Sequence, residues 1–164
     1  MTKVAVIGSG SWGTAIARLL ALKGVEVCMW SHSADTPAYI NEHHRNPRYL
    51  TDIDLRGVAC TNSYEEACAA AESVVIVTPS SAMRDNARRL APYIGVRTPV
   101  IVLSKGIEAD TGNTMVDVLI EELGGSERIA VLSGPNHAEE ISRELPAATC
   151  VACTYEKTAL YFQE

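Results

Sequence analysis

Apolar residues in this chain fall into short runs rich in Val and Ile, and longer stretches with apolar positions three and four apart lie between them. The runs read as strands and the longer stretches as helices that cover them. This pattern predicts strands at Val4–Ile7, Val25–Trp30, Val58–Thr61, Ser73–Val77, Val100–Leu103, Ile129–Leu132 and Ala147–Cys153. It predicts helices at Trp12–Lys23, Tyr39–His44, Tyr64–Ala71, Ala82–Ile94, Asn113–Leu123 and Asn136–Arg143, with a further helix beginning near Tyr155. Gly24 stops the first helix and Gly124-Gly125 the fifth. Alternation of this kind, with no internal repeat, gives an α/β fold: a doubly wound, mainly parallel sheet with helices on both faces. The polar, turn-rich segment from Asp35 to Gly57 is longer than a plain crossover and is expected to lie over a ligand.

The first strand runs into Gly8-Ser9-Gly10-Ser11-Trp12-Gly13. A glycine fingerprint carries weight only between a strand and the helix that opens inside it, and both are predicted here. Gly8 makes the turn, Gly10 lets the backbone approach a pyrophosphate, and Gly13 lets helix and strand pack closely. The helix start then offers free N–H groups to phosphate, so the fold is read as Rossmann-type and the ligand as a dinucleotide. Many NAD sites place an acid at the second strand's tip to bind the ribose 2′-hydroxyl. Here the tip is Trp30-Ser31-His32-Ser33, and Asp35 comes a few residues late. A 2′-phosphate would meet no carboxylate at the tip, and His32, Arg45 or Arg48 can pair with it, so NADP is tolerated and the cofactor is expected to be NAD or NADP. The plain alternative for His32 is an exposed turn residue, and for His43-His44 a solvated face rather than a metal site.

Ligands of such sheets sit beyond the carboxyl ends of the strands. Thr78-Pro79-Ser80-Ser81 is suited to pass beneath a cofactor or to cap the next helix. Ser104-Lys105-Gly106 sets an ammonium at the cleft edge, for a phosphate or carbonyl oxygen or simply for water. Ser133-Gly134-Pro135-Asn136-His137-Ala138 turns into a helix whose start is a second potential anion site. Glu139 and Glu140 suit the dipole of that helix, and His137 is an ordinary helix-start residue or a general acid.

At 164 residues the chain fits one domain, 1–164. A hydrophobic share of 47% with 21% charged residues reads as a soluble globular chain, and a net charge of −6 argues against nucleic acid as a partner. No apolar run is long enough to span a bilayer and the start lacks a signal peptide's architecture, which points to the cytoplasm. The five irregularly spaced cysteines read as small buried hydrophobes; Cys150 and Cys153, though at redox-motif spacing, fall in a predicted strand, and no metal is expected.

Taken together, VAVIGSGSWGTAIA, MWSH, INEHHRNPRYL, VTPS, VLSKGIE and LSGPNHAEEI resemble, in order and over almost the whole chain, the bacterial NAD(P)-dependent glycerol-3-phosphate dehydrogenase family. The resemblance implies an NAD(P)-binding domain followed by a helical substrate domain that is absent from this chain. It implies interconversion of sn-glycerol 3-phosphate and dihydroxyacetone phosphate, feeding glycerophospholipid synthesis, with a homodimer for the full-length protein. Carried over by motif, Ser11, Trp12, His32 and Tyr49 contact the nucleotide, Lys105 touches cofactor and substrate, Gly134 and Asn136 line the substrate site, and Ala138 approaches the cofactor. The family's proton-transferring lysine lies in the helical domain, so no catalytic residue is expected here, and the chain alone is expected to be inactive. Two other readings stay open: a non-catalytic nucleotide sensor on the same fold, and a related dehydrogenase acting on a hydroxy acid or sugar acid.

Overall fold

The computed structural model describes residues 2–163. Its strands are β1 Lys3–Ile7, β2 Glu26–Trp30, β3 Val58–Thr61, β4 Ser73–Ile76, β5 Val100–Val102, β6 Ile129–Ser133 and β7 Cys150–Ala152. They join in the order β3-β2-β1-β4-β5-β6-β7. β1 to β6 are parallel and β7 pairs antiparallel with β6, as a doubly wound Rossmann-type sheet with one reversed edge strand. The helices are α1 Ser11–Leu22, α2 Thr36–His43, α3 Tyr64–Cys68, α4 Met83–Leu90, α5 Met115–Leu123, α6 Ala138–Ile141 and α7 Glu156–Gln163.

Successive strand residues point to opposite faces, so each central strand feeds two cores. Ala5 and Ile7 of β1, with Val74 and Ile76 of β4, meet Met83, Leu90, Val118 and Leu119 on one face. Val4 and Val6, with Val27 and Met29 of β2, meet Ala17, Ile40 and Leu55 on the other. Full burial of each large aliphatic side chain contributes ~1.5–3 kcal/mol, which makes the central strands the rigid part of the frame.

Boundaries shift where local chemistry overrides periodicity. α2 starts at Thr36, three residues before the predicted Tyr39, because Pro37 supplies a preset φ for the first turn. α4 is shorter than predicted: 3-10 turns at Ser80–Ala82 and Ala91–Tyr93 flank it, the second containing Pro92, whose missing N–H cannot extend an α-helix. α3 stops at Cys68, and Ala70 turns the chain at φ 58°. α6 keeps four residues of the predicted Asn136–Arg143, because Gly134 and Asn136 are held in a turn by an Asn136 N–H to Gly134 C=O bond. So short a helix sums fewer peptide dipoles at its start than the 12-residue α1. The cysteine expectation is corrected in part. Cys28, Cys60 and Cys68 are buried, but β7 is an edge strand, and there Cys150 is exposed and Cys153 half-buried. No helix among the described residues is long and apolar enough to cross a membrane.

Candidate functional site

β1 and β4 are neighbours, and the sheet's winding reverses between them, so the loops that follow them part and leave a crevice at their carboxyl ends. The glycine turn lies at that crevice. Gly8 has φ 128°, and a Cβ there would stand 2.8 Å from the Val77 carbonyl oxygen. A Cβ on Gly13 would stand 2.1 Å from the Gly8 carbonyl oxygen, so α1 packs directly on the turn. Gly10 differs: a Cβ there would meet nothing within 4 Å. The outer glycines are therefore demanded by packing, and the middle one faces open space. Gly10 is also the N-cap of the 12-residue α1, which has neither a side-chain cap nor an acidic residue in its first turn. The positive end of this helix is left facing the crevice.

The crevice is a cavity of about 920 Å³. Of the residues singled out in the sequence, Gly8, Gly10, Ser11, Trp12, His32, Tyr49, Lys105, Asn136 and Ala138 line it. Gly13 and Gly134 do not. Gly13 lies beneath the turn, and Gly134, at φ 148°, is pressed against the Ala148 carbonyl, where a Cβ would come within 2.4 Å.

At the end of β2, Ser9 Oγ donates to Ser31 Oγ at 2.8 Å and ties the glycine turn to the strand tip. Trp30 Nε1 donates to the Asn62 carbonyl at 2.9 Å, and its indole stacks on Tyr64 at 4.3 Å. Burial pushes the Tyr64 phenol up to about 12, so it remains a neutral hydroxyl that donates to Asn86 Oδ1 at the cavity wall. His32 is exposed beside Trp30, with ring centroids 6.3 Å apart. Arg48 reaches the same tip: its guanidinium donates to both Asp35 carboxylate oxygens, at 2.9 and 2.8 Å, and to Ser33 Oγ. Arg45 instead donates to the Thr51 carbonyl and is not part of the cavity wall, which removes it from the expected phosphate partners.

The residue that fixes the long loop escaped the sequence reading. Asn46 is 1% exposed. Its amide donates to the Ser9 carbonyl at 2.9 Å and to Thr14 Oγ1 at 2.8 Å, and its oxygen accepts from the N–H groups of Arg48 and Tyr49. One side chain thus fastens Arg48 and Tyr49 to the glycine turn and α1. The Asn46-Pro47 dipeptide is a turn signal that marks the place without revealing the long-range partners.

Across the cavity, Lys105 Nζ donates to the Gly134 carbonyl at 2.9 Å. Its loop is closely seated, since a Cβ on Gly106 would lie 2.8 Å from Ser80 Cβ and Ser104 Oγ donates to the Thr78 carbonyl. Ser80 therefore packs against this loop, and α4 has no side-chain cap, contrary to the capping alternative. Three residues on, Glu108 accepts a two-pronged bond from Arg84, which also donates to Glu121 and Glu122. The Arg84 guanidinium, aided by the Thr111 hydroxyl, holds the Glu108 carboxyl down at about 2. Asn136 Oδ1 is buried without a hydrogen-bond partner among the described residues, in a side chain that lines the cavity. His137 is exposed and makes no side-chain cap bond, and no group of three or more metal-ligating side chains occurs among the described residues.

Residues 3–159 match the family model described as the NAD-dependent glycerol-3-phosphate dehydrogenase N-terminus. The chain is 40% identical, over 99% of its length, to a glycerol-3-phosphate dehydrogenase [NAD(P)+] of Corynebacterium urealyticum, and 41% identical over 96% to one of Brucella canis. It spans about half the length of these curated relatives, 50% and 48%. Among solved structures it superposes on the glycerol-3-phosphate dehydrogenase of Coxiella burnetii with a TM-score of 0.90 at 29% identity, covering 98% of this chain and 49% of that one. A ketopantoate reductase from Ralstonia eutropha, at 21% identity and a TM-score of 0.66, shares the fold alone. The extent of the family match, together with the glycine turn, the Lys105 loop and the Asn136 turn around one cavity, establishes that this chain belongs to the NAD-dependent glycerol-3-phosphate dehydrogenase N-terminal family.

Proposed function

We propose that this chain is the NAD(P)-binding domain of an enzyme that interconverts sn-glycerol 3-phosphate and dihydroxyacetone phosphate. The observation that carries the reading is the open face of Gly10 at the uncapped start of α1, where backbone alone meets the cavity. A pyrophosphate fits there: Gly10 presents no side chain, and the first-turn N–H groups of α1, including those of Ser11 and Trp12, supply donors. Gly8 and Gly13 shape the turn. His32 and Tyr49 stand on the side of the β2 tip, for the adenosine end, and Ala138 on the side of α6, for the other end.

When bound, the nicotinamide supplies hydride chemistry at the central carbon of the substrate. This chain's part is orientation. The Lys105 ammonium holds a phosphate or carbonyl oxygen beside the cofactor, with the Gly134 carbonyl fixing its position. Asn136 Oδ1, buried and unpartnered, is an acceptor waiting for a ligand donor, such as a substrate hydroxyl. Alignment of this kind accounts for up to ~7–11 kcal/mol of barrier lowering in favourable cases. Proton transfer at the substrate oxygen is assigned to a lysine of the family's helical domain, and Lys105 is given a binding and orienting role, not a proton-transfer one. The reading also carries a cytoplasmic address and a homodimer for the longer protein.

The test is substrate-dependent reduction of NAD+ or NADP+ by the protein with and without a helical domain. Glycerol 3-phosphate should be oxidised when both parts are present, hydroxy acids should not replace it, and the chain alone should give no turnover. Turnover by the chain alone, or preference for a hydroxy acid, would overturn the proposal.

A further inference from the structure

We propose that Asp35 and Arg48 form a discriminating pair for the cofactor's 2′ position, in which Arg48 takes the 2′-phosphate of NADPH, Asp35 accepts from the 2′-hydroxyl of NADH, and their mutual salt bridge sets the balance. The inference rests on the dinucleotide-binding reading above.

Sheets of this type place the adenosine 2′ group at the tip of the second strand, where an acid selects NAD or an arginine admits NADP. Ser31, His32 and Ser33 at this tip include no carboxylate. Arg48 brings a guanidinium into the cavity wall there, and Asp35, which is not itself in that wall, brings a carboxylate to the tip by pairing with Arg48. Arg48 lines the cavity together with His32 and Ser33, its guanidinium touches Ser33 Oγ, and it forks onto both oxygens of Asp35.

Two details separate this pair from an ordinary surface ion pair. Asp35 occupies the N-cap position of α2, where an aspartate usually accepts from the helix's first N–H groups; here its carboxylate makes no such bond and turns to Arg48 instead. The Arg48 backbone is pinned in turn by Asn46 Oδ1, and the same Asn46 side chain holds the Ser9 carbonyl of the glycine turn. The arginine is therefore placed at a fixed offset from the site proposed for the pyrophosphate.

The chemistry favours exchange. Side chains 48% and 68% exposed form a weak pair. A 2′-phosphate, with a charge of about −1.5 to −2, competes well against one carboxylate for a guanidinium fork. The carboxylate that this displaces repels the phosphate, so Asp35 limits the gain. With NADH there is no such competitor, the salt bridge persists, and the carboxylate keeps lone pairs for the ribose hydroxyl.

The experiment titrates NADH and NADPH separately into wild-type chain and into Asp35→Asn, Arg48→Gln and Arg48→Lys, following Trp fluorescence. Asp35→Asn should shift the affinity ratio about tenfold toward NADPH, and Arg48→Gln about tenfold toward NADH. Arg48→Lys, which keeps the charge but loses the fork, should fall between wild type and Arg48→Gln. NADPH binding should also weaken more steeply with salt in the wild type than in Arg48→Gln. A ratio within about twofold of wild type in both Asp35→Asn and Arg48→Gln would overturn the pair while leaving the binding site standing. Equal loss of both cofactors in Arg48→Gln would do the same, since it would assign Arg48 to holding the loop. Wild-type chain that binds neither cofactor would instead defeat the underlying reading.

Discussion

Lys105 Nζ donates to the Gly134 carbonyl across 2.9 Å, joining loops that are 29 residues apart in sequence. Lys105 is exposed, so truncating it should leave stability within ~0.5 kcal/mol of wild type. Its proposed oxyanion contact is charge-assisted and worth ~1.5–3 kcal/mol. Lys105→Met in the longer protein should accordingly raise the KM for glycerol 3-phosphate by about tenfold or more at unchanged melting temperature. A loss of stability without a change in KM would reduce Lys105 to a structural tie.

The three glycines of the turn should respond differently to one added methyl group. Gly13→Ala places a Cβ 2.1 Å from a backbone oxygen, and Gly8→Ala places one 2.8 Å from another at φ 128°, so both should destabilise the fold, by ~1–3 kcal/mol or more. Gly10→Ala has φ −74° and free space, so it should melt with the wild type yet lose nucleotide affinity, because its methyl group stands where the pyrophosphate approaches. Thermal melts with and without NADH would separate the three.

Acid should expose the Arg84 cluster. Glu108 sits at about 2 against an ordinary 4.5, chiefly through its bond to Arg84. A carboxyl lowered in the folded state adds stability that is complete above about pH 4.5 and is lost as pH falls toward about 2. Arg84→Gln should thus melt below wild type near neutral pH, with the gap closing over that acid window. A gap that persists unchanged to the acid end would contradict the assignment.

Thiol reactivity should divide the cysteines by burial. Burial pushes Cys60 up to about 12 and Cys68 up to about 11, and raises Cys28 as well. A thiol reagent at mildly alkaline pH should label Cys150 first and Cys153 next, and reach the other three only on unfolding. Rapid labelling of Cys60 in the folded chain would contradict the packing described for β3.

Strand placement was readable because buried parallel strands write continuous apolar runs: β3 lies at the predicted Val58–Thr61, and β1, β2 and β4 within one residue at either end. The glycine turn was readable because its geometry excludes side chains at Gly8 and Gly13. Contacts between distant polar residues leave no periodic trace. Asn46 gives only a local turn signal, and nothing near it in sequence points to Ser9 or Thr14. Asp35 read as an acid placed too late, because only the folded loop brings Arg48 to it. The predicted helix at Asn136–Arg143 shrank because helix-forming composition cannot register that Gly134 packs against Ala148 and holds the preceding turn.

The open backbone of the glycine turn is the proposed seat of a dinucleotide. Trp12 and Trp30 both line the cavity, so intrinsic fluorescence reports directly on it. Titration of NADH and NADPH into the 164-residue chain should give saturable quenching well below millimolar concentration with at least one of them, and Gly10→Ala, folded as the wild type, should abolish it. Absence of saturable binding of either cofactor at millimolar concentration, or undiminished binding by Gly10→Ala, would contradict dinucleotide binding at this turn.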